Sequence, residues 1–250
     1  MVIFYIDPDV SPVERSADAS GKCFYGCGIM IRLHVFDMDG TLVDHDCDVL
    51  WKKFLVDSCL APKSDREKSL KFYADYTAGV MDVPAFIKFQ HREFVGHTMA
   101  EMRELCGRCF ETTLKVNCRP KAAEYIRKLE TTGVKTVLLS GTNTVISDFI
   151  RAHFGLDIVC GTELELDESG RFTGNVVGEY ALGRGKVTSM LRVAEKLGVR
   201  PEEVAAYGDS VNDIPLLAAA GEAYAISPAP ALRAEAEKRN WHIFDWAKRD

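Results

Sequence analysis

From residue 31 onward, short apolar runs alternate with longer amphipathic ones, and this rhythm restricts the chain to an α/β architecture. Residues 31–36, 135–139, 158–160, 204–207, 223–226 and 242–244 read as strands. Residues 122–129, 145–153, 186–197, 213–220 and 228–239 read as helices, with Gly133, Gly155 and Gly198 at three of their ends. Residues 163–177 alternate apolar and polar around Asp167-Glu-Ser-Gly170 and predict a hairpin. Strand–helix repetition of this kind calls for a Rossmann-like parallel sheet flanked by helices.

One stretch breaks the rhythm. Residues 48–117 offer helical runs at 49–60, 68–76, 83–94 and 99–114, rich in aromatics, and no convincing strand. A small helical cap inserted after the first strand is the simplest organisation: core 30–45 and 118–250, cap 46–117. The cap aromatics Trp51, Phe54, Phe72, Tyr73, Phe86 and Phe89 read first as packing groups. Residues 1–29 stand apart. They open apolar at Val2–Ile6, turn acidic at Asp7 and Asp9, and lack the basic start and long apolar stretch of a secretory signal. They are expected to be a leader before a start at Met30.

A net charge of -6 argues against nucleic acid as the partner. No run is long and apolar enough to span a membrane, and a cytoplasmic location is expected. Without a secretion signal, the eight cysteines read as free thiols. Cys106-Gly-Arg-Cys109 has redox spacing but sits in a helical pattern, so buried thiols are expected there.

Four clusters at strand ends carry the chemistry, at the edge of a parallel sheet where ligands bind. Asp37-Met-Asp39-Gly-Thr41 places two carboxylates two residues apart directly after a strand, one suited to nucleophilic attack and one to proton transfer. Ser140-Gly141-Thr142 offers a hydroxyl and free amides for a phosphoryl oxygen. Lys186, at a helix start in Gly183-Arg-Gly-Lys186, is a compact cation suited to phosphate. Gly208-Asp209-Ser-Val-Asn212-Asp213 has the hard oxygen donors that Mg²⁺ prefers. Three acids against a lysine and a divalent cation make a site that a phosphate dianion can enter.

The ordered set DMDGT, SGT, GRGK and GDSVND resembles the haloacid dehalogenase superfamily of phosphohydrolases over residues 31–245, and within it the phosphoserine phosphatase-like branch. The resemblance implies a Mg²⁺-dependent phosphatase acting on a small-molecule phosphomonoester through a phosphoaspartate. Asp37 would be the nucleophile and Asp39 the acid and base, its backbone carbonyl touching the metal. Asp37 and Asp209 would ligate Mg²⁺ with Asp213 close behind, while Ser140, Gly141 and Lys186 hold the phosphoryl group and Asn212 braces the site. Asp46 falls near the acid that receives a substrate ammonium in that branch, and Arg92 or Lys88 near the cap arginine that receives a carboxylate. Histidinol phosphate or another amine-bearing ester is the alternative substrate. A phosphotransferase or a non-catalytic sensor on the same fold is the alternative activity.

Overall fold

The computed structural model describes residues 30–178, 180 and 183–247. The expected leader, with Cys23 and Cys27, lies outside the described residues. Strand β1 (Leu33–Asp37) is buried along its whole length. Its side chains alternate between two hydrophobic clusters: Leu33 and Val35 join one, Phe36 the other. Both faces of the sheet are therefore covered, which is why the strand reads as a continuous apolar run.

The helical segment follows as α1 (Cys47–Asp57), α2 (Ser64–Thr77), α3 (Val83–Gln90) and α4 (Met99–Cys109). Asp46 caps α1 by accepting the Val49 amide, Asp82 caps α3, and Thr98 with Glu101 forms a capping box on α4. The run expected as one helix over 83–94 stops at Gln90. The turn beyond docks onto the later hairpin instead, where the Gly96 amide donates to the Phe172 carbonyl at 2.9 Å. Likewise α4 ends at Cys109 and passes into a single π turn over Phe110–Leu114.

The alternation then resumes: α5 (Pro120–Glu130), β2 (Lys135–Asn143), α6 (Thr144–Phe154), β3 (Ile158–Leu166), β4 (Phe172–Val177), α7 (Arg184–Lys196), β5 (Val204–Gly208), α8 (Ile214–Ala219), β6 (Glu222–Ile226), α9 (Pro230–Arg239) and β7 (His242–Phe244). The strands form one sheet in the order β4-β3-β2-β1-β5-β6-β7. All neighbours are parallel except β3 and β4, the predicted hairpin. Strand β1 thus lies centrally, with β2 on one side and β5 on the other. Helices leaving β2 and β5 turn to opposite sides, so the carboxyl end of β1 faces the crevice where such sheets bind ligands.

Two strands are longer than their apolar runs. β2 continues through Ser140-Gly141-Thr142 to Asn143, and β3 through Gly161 to Leu166, paired at Asn143 and Thr162 across an irregularity. Trp51, Phe94 and Phe172 meet at centroid distances of 5.8 and 5.4 Å, so the helical segment shares a core with the hairpin. Each such buried ring contributes about 1.5–3 kcal/mol. No helix among the described residues is long and apolar enough to cross a membrane. Cys106 and Cys109 are buried in that same core, and burial pushes the Cys109 thiol up to about 12, so the pair is packing material, as the helical pattern predicts.

Candidate active site

Asp37 is the last residue of β1 and is 3% exposed. Its Oδ1 accepts from Lys186 Nζ at 2.6 Å and its Oδ2 from Thr41 Oγ1 at 3.3 Å. The chain reverses at once: the amides of Leu42 and Val43 both donate to the Met38 carbonyl, and Gly40 sits at φ +77°. This left-handed residue is where glycine is needed. The turn carries Asp39 over the strand end, where its Oδ1 accepts the Cys47 amide at 2.7 Å and its Oδ2 accepts Ser140 Oγ and Thr142 Oγ1, each at 3.2 Å. One carboxylate faces an ammonium and the other faces hydroxyls and an amide. That division suits one nucleophile and one proton carrier.

The loop after β5 supplies the other acids. Asp213 Oδ2 accepts the amides of Asp209 (3.2 Å) and Ser210 (3.1 Å) and the Ser210 hydroxyl (3.0 Å), while its Oδ1 accepts Lys186 Nζ at 2.6 Å. The chain must pass close here, since a Cβ on Gly208 would lie 2.5 Å from Asp213 Cβ. Lys186, in the first turn of α7, therefore bridges the β1 and β5 loops. Burial opposes its charge, but Asp213 and Asp37 outweigh this and hold it protonated well above the usual lysine range.

The acids are driven the other way. Burial pushes Asp37 up to about 7, opposed by Lys186 and reinforced by Asp213 and Asp39. Burial also raises Asp209 well above the usual carboxylate range, with Asp213 and Asp37 adding to it. Such a set is short of positive charge. Asp37, Asp209 and Asp213 each present an oxygen within 4.8 Å of the others. All three donors are hard, with no thiolate or imidazole among them, which fits a small hard divalent cation. Asp213 accepts from four protein donors and Asp37 from two, so Asp37 and Asp209 are the freer pair.

Asp37, Asp39, Lys186 and Asp209 open into a cavity of about 530 Å³ whose wall also carries Asp46, Asn212 and Gly141, while Asp213 is buried and is not part of the lining. Ser140 lies elsewhere: β2 runs on past it, so the residue is fully buried in the strand and its hydroxyl serves Asp39. Gly141 and Thr142 reach the wall in its place. Arg92 and Lys88 are exposed and are not among the lining residues. Arg92 is held by Asp65 and by Glu93 (2.7 Å), on the outer side of α3. The aromatics divide. Trp51, Phe54 and Phe89 are packing groups, whereas Phe72, Tyr73 and Phe86 line the cavity.

Sequence reasoning missed Asp48, Tyr76, Tyr180 and Arg119, all on the wall. A signal existed for one of them. Ser69, Phe72, Tyr73 and Tyr76 recur at helical spacing on one face of α2, and that face looks into the cavity. Tyr76 and Asn212 both line it. Asp46, raised by burial to about 7 with Asp39 adding, lies at the start of α1 beside these rings.

The sequence profile of the haloacid dehalogenase-like hydrolases matches residues 34–218. A histidinol-phosphatase of Neisseria meningitidis is 31% identical over 224 residues, covering 87% of this chain and 100% of that protein. A phosphoserine phosphatase of a Polaromonas species is 29% identical, covering 82% of this chain and 83% of the relative. A crystal structure of a Bordetella pertussis protein of unknown function superposes with a TM-score of 0.80 at 26% identity, over 87% of this chain and 100% of that one.

Proposed function

The chain belongs to the haloacid dehalogenase-like hydrolase family, and we propose that within it the enzyme is a magnesium-dependent phosphatase that cleaves the phosphate ester of a small amine-bearing alcohol through a phosphoaspartate on Asp37. The observation that carries this reading is the paired placement at the end of β1. Asp37 stands against Lys186 at 2.6 Å, while Asp39 is held over the same strand end by Cys47, Ser140 and Thr142.

The Asp37 carboxylate attacks phosphorus in line with the ester oxygen, forming an acyl phosphate as the P–O ester bond breaks. Asp39 gives its proton to the departing alkoxide. In the second half, Asp39 takes a proton from water as that water attacks phosphorus, which frees inorganic phosphate and restores Asp37. Lys186 neutralises phosphoryl charge, and the amides of the Gly141 segment orient the oxygens. Asp37 and Asp209, with Asp213 behind them, would hold magnesium, whose positive charge would let a phosphate dianion approach these acids. The helical segment 46–117 serves as the cap that excludes water during the first half-reaction.

For the alcohol, charge decides. The cations lining the cavity among the described residues are Lys186 and Arg119, each set against a carboxylate: Lys186 on Asp37 and Asp213, Arg119 on Asp44 at 2.7 Å. Arg119 keeps Nε and Nη1 without an acceptor, but the lining sets six aspartates against these two cations, so it favours an ammonium, which has Asp46, over the added carboxylate of phosphoserine. The histidinol-phosphatase relative, matched over its full length, supports an amino alcohol phosphate of that kind.

Phosphate release from histidinol phosphate, phosphoserine and 4-nitrophenyl phosphate, with Mg²⁺ and with chelator, tests the proposal. Expected is Mg²⁺-dependent release that favours histidinol phosphate and disappears in Asp37→Asn. Release that persists in chelator or in Asp37→Asn refutes the mechanism, and preference for phosphoserine refutes the substrate class.

A further inference from the structure

The cavity wall carries a carboxylate that the phosphoryl chemistry leaves unused. Asp48 lies in the first turn of α1, two residues beyond Asp46, and is 9% exposed. From α3, the buried Gln90 donates Nε2 to Asp48 Oδ1 at 2.8 Å and to the Asp48 backbone carbonyl at 3.3 Å, which fixes how the carboxylate points. The nearby Lys52 is spent elsewhere, its Nζ donating to Glu93 Oε2 at 2.5 Å and to the Phe89 carbonyl at 2.8 Å. Asp48 is thus an oriented, largely buried acid on a cavity wall, with an amide as its polar partner.

Its surroundings define what it can take. Phe72 meets Phe86 edge-on at 5.5 Å, Phe86 meets Tyr180 edge-on at 6.1 Å, and all three rings line the same cavity. Carboxylates beside aromatic faces favour a flat group that is cationic or bears N–H donors. They disfavour a carboxylate and give a short alkyl chain apolar contact alone.

We propose that Asp48 is a specificity-determining residue that receives a second nitrogen function on the leaving alcohol. The preferred ester then carries an ammonium for Asp46 and an imidazole-like ring whose N–H faces Asp48, seated among Phe72, Phe86 and Tyr180. This rests on the phosphatase reading above and sharpens its substrate class. Asp46 alone would accept any amino alcohol phosphate, and Asp48 with the rings selects those that also bear the heteroaromatic ring.

The test compares kcat/KM for three esters: histidinol phosphate, 2-aminoethyl phosphate, which keeps the amine and lacks the ring, and 4-nitrophenyl phosphate. Wild type is expected to favour histidinol phosphate over 2-aminoethyl phosphate by about 30-fold or more, the size of one charge-assisted hydrogen bond plus ring contacts. Asp48→Asn keeps an acceptor for Gln90 and removes the charge, so the ratio of the two amine esters should fall by about 10-fold. Asp46→Asn should lower both amine esters relative to 4-nitrophenyl phosphate while their mutual ratio holds. A wild-type ratio near one overturns the proposal without any variant, so a variant that fails to fold does not shield it. An Asp48→Asn protein that is folded by circular dichroism and keeps the wild-type ratio also overturns it. Absence of release from all three esters overturns the phosphatase reading itself, a result distinct from either of these.

Discussion

Replacing Gly40 by alanine perturbs the site without removing any polar group. Gly40 adopts φ +77°, and a Cβ built there would lie 2.1 Å from Asp209 Oδ2 and 2.3 Å from Asp209 Cγ. Two penalties follow. The left-handed backbone costs an alanine about 1–2 kcal/mol. The carboxylate must also retreat by more than 1 Å to reach an ordinary contact distance of 3.4 Å. A displacement of that size in a positioned group costs about 100-fold in rate. Gly40→Ala should therefore lower kcat/KM about 100-fold and raise the Mg²⁺ concentration for half-maximal activity. Its melting temperature should fall by about 2–8 °C, because in a unit of this size 1 kcal/mol corresponds to about 2–4 °C. The control is Gly133→Ala, at φ +73° in the turn after α5, where an added Cβ meets nothing within 4 Å. It carries the backbone penalty alone, so its melting temperature should drop similarly while activity and metal dependence stay at wild-type values. Phosphate release titrated with Mg²⁺, together with thermal melts of both variants, decides the matter. If Gly40→Ala keeps kcat/KM within about threefold and an unchanged Mg²⁺ midpoint, the claim that this glycine makes room for Asp209 is wrong.

Three further outcomes are expected. Asp209→Asn should abolish the rise in melting temperature that Mg²⁺ gives the wild type, since it takes one of the two freer carboxylates from the cluster; an undiminished Mg²⁺ shift would remove Asp209 from the metal site. Tyr76→Phe deletes a hydroxyl from the cavity wall and should raise KM by about 3–10-fold with little change in melting temperature, as loss of one substrate hydrogen bond worth about 0.5–1.5 kcal/mol implies. Burial lowers His34 to about 4, and its Nδ1 lies 2.7 Å from the Tyr207 hydroxyl. The unfolded chain then binds the extra proton first, so stability falls as pH drops from about 6.5 towards 4, by about 3 kcal/mol over the full window. His34→Phe should flatten urea-unfolding stability between pH 7 and 5, and an unaltered acid slope would assign that loss to other groups.

Much of this site was legible because its key residues sit where apolar runs end. The buried run before Asp37 and the one before Asp209 each announce a strand, and the acids after them can only stand at its carboxyl edge. What escaped sequence reading was set by pairing and by tertiary placement. Ser140 through Asn143 carries no apolar signature, yet β2 runs on through it and pairs again at Asn143 with Thr162, and the Ser140 hydroxyl turns inward to Asp39. Arg92 was a candidate by its place in the chain, but α3 ends two residues earlier and the guanidinium swings out to Asp65 and Glu93. By sequence alone Asp48 is indistinguishable from any acid in a first helical turn. Only the approach of α3, bringing Gln90 against it, distinguishes it from a solvated one.

The cavity as a whole shows why metal and substrate preference belong to one electrostatic problem. Six aspartates line it, Asp37, Asp39, Asp44, Asp46, Asp48 and Asp209, against the cations Lys186 and Arg119 among the described residues. Burying acids in such excess destabilises the fold, and the chain relieves it in part by placing Lys186 between Asp37 and Asp213. The remaining surplus divides in space. Asp37 and Asp209 lie at the sheet edge, where a divalent ion would offset them, while Asp46 and Asp48 lie at the start of α1, outside that cluster. A metal there would leave Asp46 and Asp48 still destabilised by burial, which raises both above the usual carboxylate range. An alcohol that arrives with an ammonium completes the neutralisation, whereas one that arrives with a carboxylate adds to the repulsion. On the proposed reading, the same imbalance would make a cationic leaving group the one this cavity binds best, with the phosphate end governed by the metal and the alcohol end by Asp46 and Asp48.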